Sequence, residues 1–146
     1  MNPFWHFLFG AILSLFLLFL FPEIGIINIS ILFFSSILID ADHYFFYIYE
    51  KRGFNLRKAY SYFLNNKKKM KELEGHFPSF SRSSFFIFHG LEVILLVFLL
   101  SFLFKPFYFV FMGLSFHLIL DLFEQAVYSK SFQKISVVND FLNYKR

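Results

Sequence analysis

Hydrophobic residues dominate four long stretches of the chain, and polar residues collect between them. Each stretch approaches the roughly 20 predominantly apolar residues that a membrane-spanning helix needs. The second uncharged run stops at Asp40, and Lys105 with Pro106 separates the third run from the fourth. The pattern therefore predicts four spans, over about residues 4–21, 24–43, 84–104 and 106–127.

The connections between these spans define the expected fold. Pro22, Glu23 and Gly25 form a short turn after the first span, so the first two helices must be antiparallel. No Lys or Arg precedes Phe4 and no small-residue cleavage site follows, which favours a first span over a cleaved signal peptide. We expect an all-α membrane protein, a single domain over residues 1–146 with four transmembrane helices in an antiparallel bundle.

The basic residues lie almost entirely on one side of the predicted spans. Nine of the 14 fall between residues 50 and 82 and four follow the last span, whereas the two short loops hold only Glu23 and Lys105. By the positive-inside rule, the sequence predicts a multi-pass protein of the cell membrane with both termini and the long basic loop in the cytoplasm.

Apolar residues recur near helical spacing within the basic loop, at Leu56, Tyr60, Phe63, Met70 and Leu73. Such a pattern is typical of an interfacial helix that lies on anionic headgroups. A solvated, mobile basic loop explains the same composition equally well. Both interpretations stay open, and membrane lipid is the expected partner of the loop under the first.

The composition supports the membrane assignment and limits the chemistry. Apolar residues make up 58% of the chain and charged residues 16%, against roughly 25% charged in an average globular protein. There is no cysteine, so a transition metal would have to be held by His, Asp and Glu. P-loop and GxSxG motifs are absent, and we expect no nucleic-acid partner.

A small set of ionisable residues lies at the depth of the spans, and all of them fall toward the predicted cytoplasmic face. Charges at such depth usually face the interior of a bundle and mark function. The candidates for metal ligands are His6, Asp40, Asp42, His43, His89, Glu92, His117 and Asp121. Glu124, near the end of the fourth span, is expected to be interfacial.

Three pairs of these residues share a helix face, because they are three or four positions apart: Asp40 with His43, His89 with Glu92, and His117 with Asp121. Asp42 points elsewhere unless the span unwinds, and would orient a ligand or bind a second ion. Mixed imidazole and carboxylate ligands indicate a divalent metal, zinc first and manganese or iron as alternatives.

Each candidate also has a simpler explanation. His6, beside Trp5, fits the aromatic belt at the membrane interface. The segment from Asp40 to His43 fits a polar stop at a helix end, and His117 with Asp121 fits a buried hydrogen bond. Glu92 is harder to explain structurally, because residues 93–100 are entirely apolar.

Four landmarks in order, His6 followed by FLFGA, LIDADH ending at His43, His89, and GLSFHLILD ending at Asp121, make the chain resemble the YdjM-like family of membrane-bound metal-dependent hydrolases. The resemblance implies metal-ligating or catalytic roles for His6, Asp40, Asp42, His43, His89, His117 and Asp121. One position departs from the family pattern HRGxTHS, since Ser84 stands where its first histidine falls. Glu92 is a candidate substitute ligand.

These observations predict a membrane-embedded, metal-dependent hydrolase, in which the metal activates a water and Glu92 or Asp42 is the general base. A phosphoester or ester of a lipid or lipid-linked substrate at the cytoplasmic interface is the expected target. Two alternatives use the same residues differently: a non-catalytic metal-ion binding or transport protein, and a structural membrane protein whose basic loop binds lipid or a partner.

Overall fold

The computed structural model of the protein describes residues 3–72, 88 and 90–128. Over these residues all regular structure is helical. A turn of 3₁₀ helix at Pro22–Ile24 joins the first two helices. The helices are α1 (Pro3–Leu20), α2 (Gly25–Leu38), α3 (Ala41–Lys51), α4 (Leu56–Glu72), α5 (Leu91–Ser101) and α6 (Lys105–Tyr128).

Three helical segments of the described chain are long and apolar enough to cross a membrane: Pro3–Leu20, Pro22–Lys51 and Lys105–Val127. They correspond to the first, second and fourth predicted spans. The second is longer than predicted, because α2 passes through a short break at Ile39–Asp40 directly into α3.

The third predicted span, residues 84–104, is represented by α5, which has 11 residues and is shorter than a membrane-spanning helix. Residues 84–87 and His89 lie outside the described residues. The all-helical class and three membrane-length helices are therefore observed, whereas the regular four-helix antiparallel bundle is not confirmed.

The helix α6 is the centre of the packing. It packs most extensively on α2, and α1 and α5 pack against it from two further directions. Leu32 of α2 lies beside Gly113 and Ser36 of α2 lies beside His117, so α2 and α6 run parallel. In contrast, α2 and α5 scarcely contact each other.

The basic segment after α3 is helical at its start, as its apolar spacing predicted. The helix α4 packs on α3 through Tyr62 against Tyr47 and through Phe63 against His43. Leu56 and Tyr60 are exposed. Phe63 therefore contacts the protein, which corrects its expected place on a lipid-facing stripe, and Leu73 lies outside the described residues.

Candidate metal centre

The polar residues of three helices meet at one end of the molecule. His6 lies 14 residues before the end of α1 at Leu20, and His117 lies 12 residues after the start of α6 at Lys105. At 1.5 Å per residue these separations are about 21 and 18 Å, out of a hydrocarbon thickness of about 30 Å. The polar site therefore lies at the end opposite the two short turns that precede α2 and α6.

His117 is the most deeply buried member of the site, with no exposed surface. Its Nδ1–H donates a hydrogen bond of 2.8 Å to the carbonyl oxygen of Ser36 on α2. A carbonyl oxygen only accepts, so Nδ1 carries a proton and a neutral His117 presents a lone pair at Nε2. Metal-binding histidines commonly have this arrangement, in which the second ring nitrogen donates to a backbone carbonyl.

A glycine one helical turn earlier makes this hydrogen bond geometrically accessible. A Cβ atom at Gly113 would lie 2.5 Å from the carbonyl oxygen of Leu32 and 3.0 Å from the backbone nitrogen of Ser36. Small residues at helix interfaces let membrane helices approach closely. Because Gly113 and His117 are four residues apart, the close approach brings the His117 ring to the α2 backbone.

Asp121 joins the two histidines of the site. Its Oδ1 lies 3.2 Å from Nε2 of His6, and its Oδ2 lies 3.2 Å from Nε2 of His117. The imidazole rings of His6 and His117 stack face to face, with centroids 3.9 Å apart and planes inclined by 13°. The first and last described spans thus meet through three side chains.

Asp40 enters from the break between α2 and α3. Its Oδ1 lies 3.7 Å from Nε2 of His117 and 3.8 Å from Nε2 of His43. His6, Asp40 and His117 each offer one ligand atom, and these three atoms lie within 4.8 Å of one another. The described residues therefore contain a buried His–Asp–His group that could hold a metal ion.

The spacing of the donor atoms is compatible with coordination of one ion. A tetrahedral zinc site with bonds of about 2.0–2.1 Å places its ligand atoms about 3.3 Å apart. The separations from His117 Nε2 to Asp121 and Asp40 are 3.2 and 3.7 Å. The donors are thus close enough to share an ion without large movement of the helices.

Asp42 and His43 form a second pair beside this group. Asp42 is buried, and its Oδ1 lies 3.3 Å from Nδ1 of His43. Its Oδ2 accepts a hydrogen bond of 3.2 Å from the backbone N–H of Phe88. The sequence predicted that Asp42 would leave the common helix face, and the structure places it where it orients His43.

His43 is the more accessible histidine of the site, since 33% of its side chain is exposed. The ring of Phe63 from α4 stacks on its ring, with centroids 5.2 Å apart. One ring nitrogen faces Asp42 and the other faces Asp40. His43 therefore lies between the buried metal-ligating group and the surface.

The remaining candidates are not placed in this group. Glu92 is half-buried in the first turn of α5 and does not belong to the His–Asp–His group. Glu124 is half-buried near the end of α6. His89 lies outside the described residues, so its predicted role as a ligand stays a prediction.

Three contributors to the site escaped the sequence analysis: the Ser36 carbonyl, Gly113 and Phe63. A backbone carbonyl leaves no signal in residue identity, and an aromatic residue in a Phe-rich chain is inconspicuous. Gly113 did have a signal, because it lies one turn from His117, as Gly10 lies one turn from His6. A Cβ at Gly10 would lie 2.6 Å from the Ser36 hydroxyl oxygen.

Comparison with protein-family models, with curated proteins and with solved structures finds no significant match to this chain. The resemblance to membrane-bound metal-dependent hydrolases thus stays a prediction from the sequence. The arguments about function rest on the geometry of the site.

Proposed function

We propose that the protein is a membrane-embedded metal-dependent hydrolase that binds a divalent cation through His6, Asp40, His117 and Asp121. The observation that carries the proposal is the environment of His117. Its Nδ1–H donates to the Ser36 carbonyl, and its Nε2 faces carboxylate oxygens of both Asp121 and Asp40. A lone pair aimed at two carboxylates is unfavourable unless a cation lies among them.

Protons alone could supply that cation by converting both histidines to imidazolium ions. The stacking of His6 on His117 at 3.9 Å opposes this solution, since two positive rings in face-to-face contact would repel each other strongly in a buried site. One proton would leave the two carboxylates incompletely neutralised. A divalent cation balances both acids, and mixed nitrogen and oxygen donors favour zinc, with manganese or iron as alternatives.

When bound, such an ion would supply Lewis acidity and an activated water. The chain's own proton acceptor would be Nε2 of His43, because Asp42 holds its Nδ1 and the ring reaches the surface. Water oxygen would bond to the phosphorus or acyl carbon while the ester oxygen leaves. His43 would take the proton of the water and return it to the leaving alcohol, so the reaction balances as hydrolysis.

The expected substrate is a lipid or lipid-linked phosphoester or ester. The site lies at the end of three membrane-length helices, where a headgroup linkage would meet it. We further propose that this end is cytoplasmic and that the membrane is the cell membrane, since the basic residues lie at this end.

Metal analysis of the purified protein, followed by assay against phospholipid esters, tests the proposal. We expect close to one equivalent or more of a divalent transition metal, phospholipid hydrolysis, and loss of both in His117→Ala. His43→Gln should retain the metal but lose turnover. Glu23→Gln, which changes an exposed acid in the turn before α2, is the matched control. Metal-free wild-type protein prepared without chelator would contradict the proposal.

Binding of the metal without hydrolysis of any tested lipid would favour the alternative of a non-catalytic ion-binding or transport protein. The complete burial of His117 and the near-complete burial of His6 are the observations that fit this alternative. The two functions are separated by His43→Gln, because a purely ion-binding site has no need of that side chain as a proton acceptor.

A further inference from the structure

An open groove lies between α2 and α5 because both helices pack along α6 while scarcely contacting each other. Its volume is about 680 Å³, within the range of about 300–1,000 Å³ that is usual for small-molecule sites. The third predicted span would have packed against the second in a regular bundle. The separation of α2 from α5 therefore leaves a recess among the described residues.

The walls of the groove are apolar along its length. The helices α2, α5 and α6 all contribute aliphatic side chains, among them Ile26, Ile31, Leu38, Val93, Val97 and Val110. Ser30 and Ser35 also line it, but their hydroxyl groups donate hydrogen bonds to the carbonyl oxygens of Ile26 and Ile31 in their own helix. The groove thus offers hydrocarbon contact and little opportunity for polar recognition.

The groove has the length of one lipid chain. Its lining residues on α2 run from Ile26 to Ile39, 13 residues apart, which is about 20 Å along a helix. One leaflet of the hydrocarbon core is about 15 Å thick. A hydrocarbon chain that lies along the groove would therefore extend from the site into the membrane interior.

One end of the groove is continuous with the candidate metal centre. Ile39, in its wall, directly precedes Asp40, and Leu114 lies three residues before His117. Phe88 also lines the groove, and its backbone N–H donates to Asp42. Polar groups for a headgroup linkage and an apolar channel for a chain therefore adjoin each other.

We propose that this groove holds one acyl chain of a phospholipid whose ester linkage lies at the metal centre. This inference rests on the proposed function and names its substrate class, a diacyl or monoacyl lipid selected by chain length. The arrangement separates two tasks: the groove supplies affinity and the polar residues act on the linkage. Because the groove is apolar, affinity must depend on the number of methylene groups buried in it.

Binding of a headgroup-labelled phospholipid to the purified full chain in mixed micelles tests the groove independently of catalysis. We expect Ser30→Trp and Val97→Trp to weaken binding by about tenfold, since a bulky ring fills the recess. Leu96→Trp is the matched control, because Leu96 neighbours Val97 on α5 but is exposed outside the groove. All three variants should keep the metal content of the wild type.

Wild-type protein supplies a second measurement that does not depend on the folding of any variant. At equal mole fraction in the micelle, a long-chain phospholipid should bind about tenfold more tightly than its short-chain analogue with the same headgroup. Equal affinities, or normal binding by both groove variants, would overturn the inference and leave the groove to a second copy of the chain or another segment. Tight chain-dependent binding without hydrolysis would support the groove while contradicting the hydrolase.

Discussion

His6 and His117 lie 111 residues apart in the chain, yet their imidazole rings stack at 3.9 Å. Asp121 contacts Nε2 of both rings, each at 3.2 Å. The arrangement joins α1 to α6 through groups that are costly to bury in a membrane. It is the relationship from which the assignment of a cation site follows most directly.

Replacement of His6 by alanine should lower the affinity for the bound metal by at least about tenfold while the helices stay folded. The physical reason is that His6 supplies one donor of the buried His–Asp–His group. Titration with a metal indicator and far-UV circular dichroism would measure both quantities. Trp5→Ala, at an exposed neighbouring position, is the control, and an unchanged affinity in His6→Ala would remove His6 from the site.

Alanine at Gly113 should destabilise the protein by about 1–3 kcal/mol, as overpacking of a close interface does. The added methyl group would meet backbone atoms of Leu32 and Ser36, which cannot rotate away. Gly10→Ala should cost less, because its nearest neighbour is the movable hydroxyl group of Ser36. Thermal unfolding in detergent would compare the two, and a milder effect at Gly113 would contradict the close-approach argument.

Glu92→Gln should leave the metal content unchanged and the turnover close to that of the wild type, since Glu92 does not belong to the described metal-ligating group. Metal analysis and lipid hydrolysis on the same preparation would separate three roles. Loss of metal would make Glu92 a ligand that replaces the missing family histidine. Loss of turnover with metal retained would make it the general base instead of His43.

Reporter fusions should place residue 75 and the C-terminus in the cytoplasm, because 13 of the 14 basic residues then lie on one side. A fusion in the turn after α1, at Glu23, should give the opposite signal. A periplasmic or extracellular signal at residue 75 would overturn the proposed cytoplasmic location of the metal centre.

Much of the site could be predicted from sequence because ionisable residues are rare within apolar runs. His6, Asp40 and His117 stood out for that reason, and helix periodicity placed Asp121 beside His117. Their common depth followed from the span boundaries. The four helical runs were also visible, although α5 is shorter than its predicted span.

The parts that sequence could not predict depend on how helices pack against each other. Periodicity assigns a face to a residue but not a neighbour to a face, so the parallel contact of α2 with α6 and the gap beside α5 were not foreseeable. The break at Ile39–Asp40 was raised only as a condition on Asp42. Stacking of Phe63 on His43 depends on the angle between α3 and α4, which no spacing rule determines.

The distribution of the ligands along the chain has a mechanical consequence for the fold. A cation held by His6 and His117 would tie the first span to the last and close a loop of about 110 residues, and a cross-link over such a loop is worth roughly 4–5 kcal/mol in the chain-entropy model. The chain has no cysteine and cannot form a disulfide. The ion would thus act as a reversible clasp, so that chelation loosens the helices as well as stopping the chemistry.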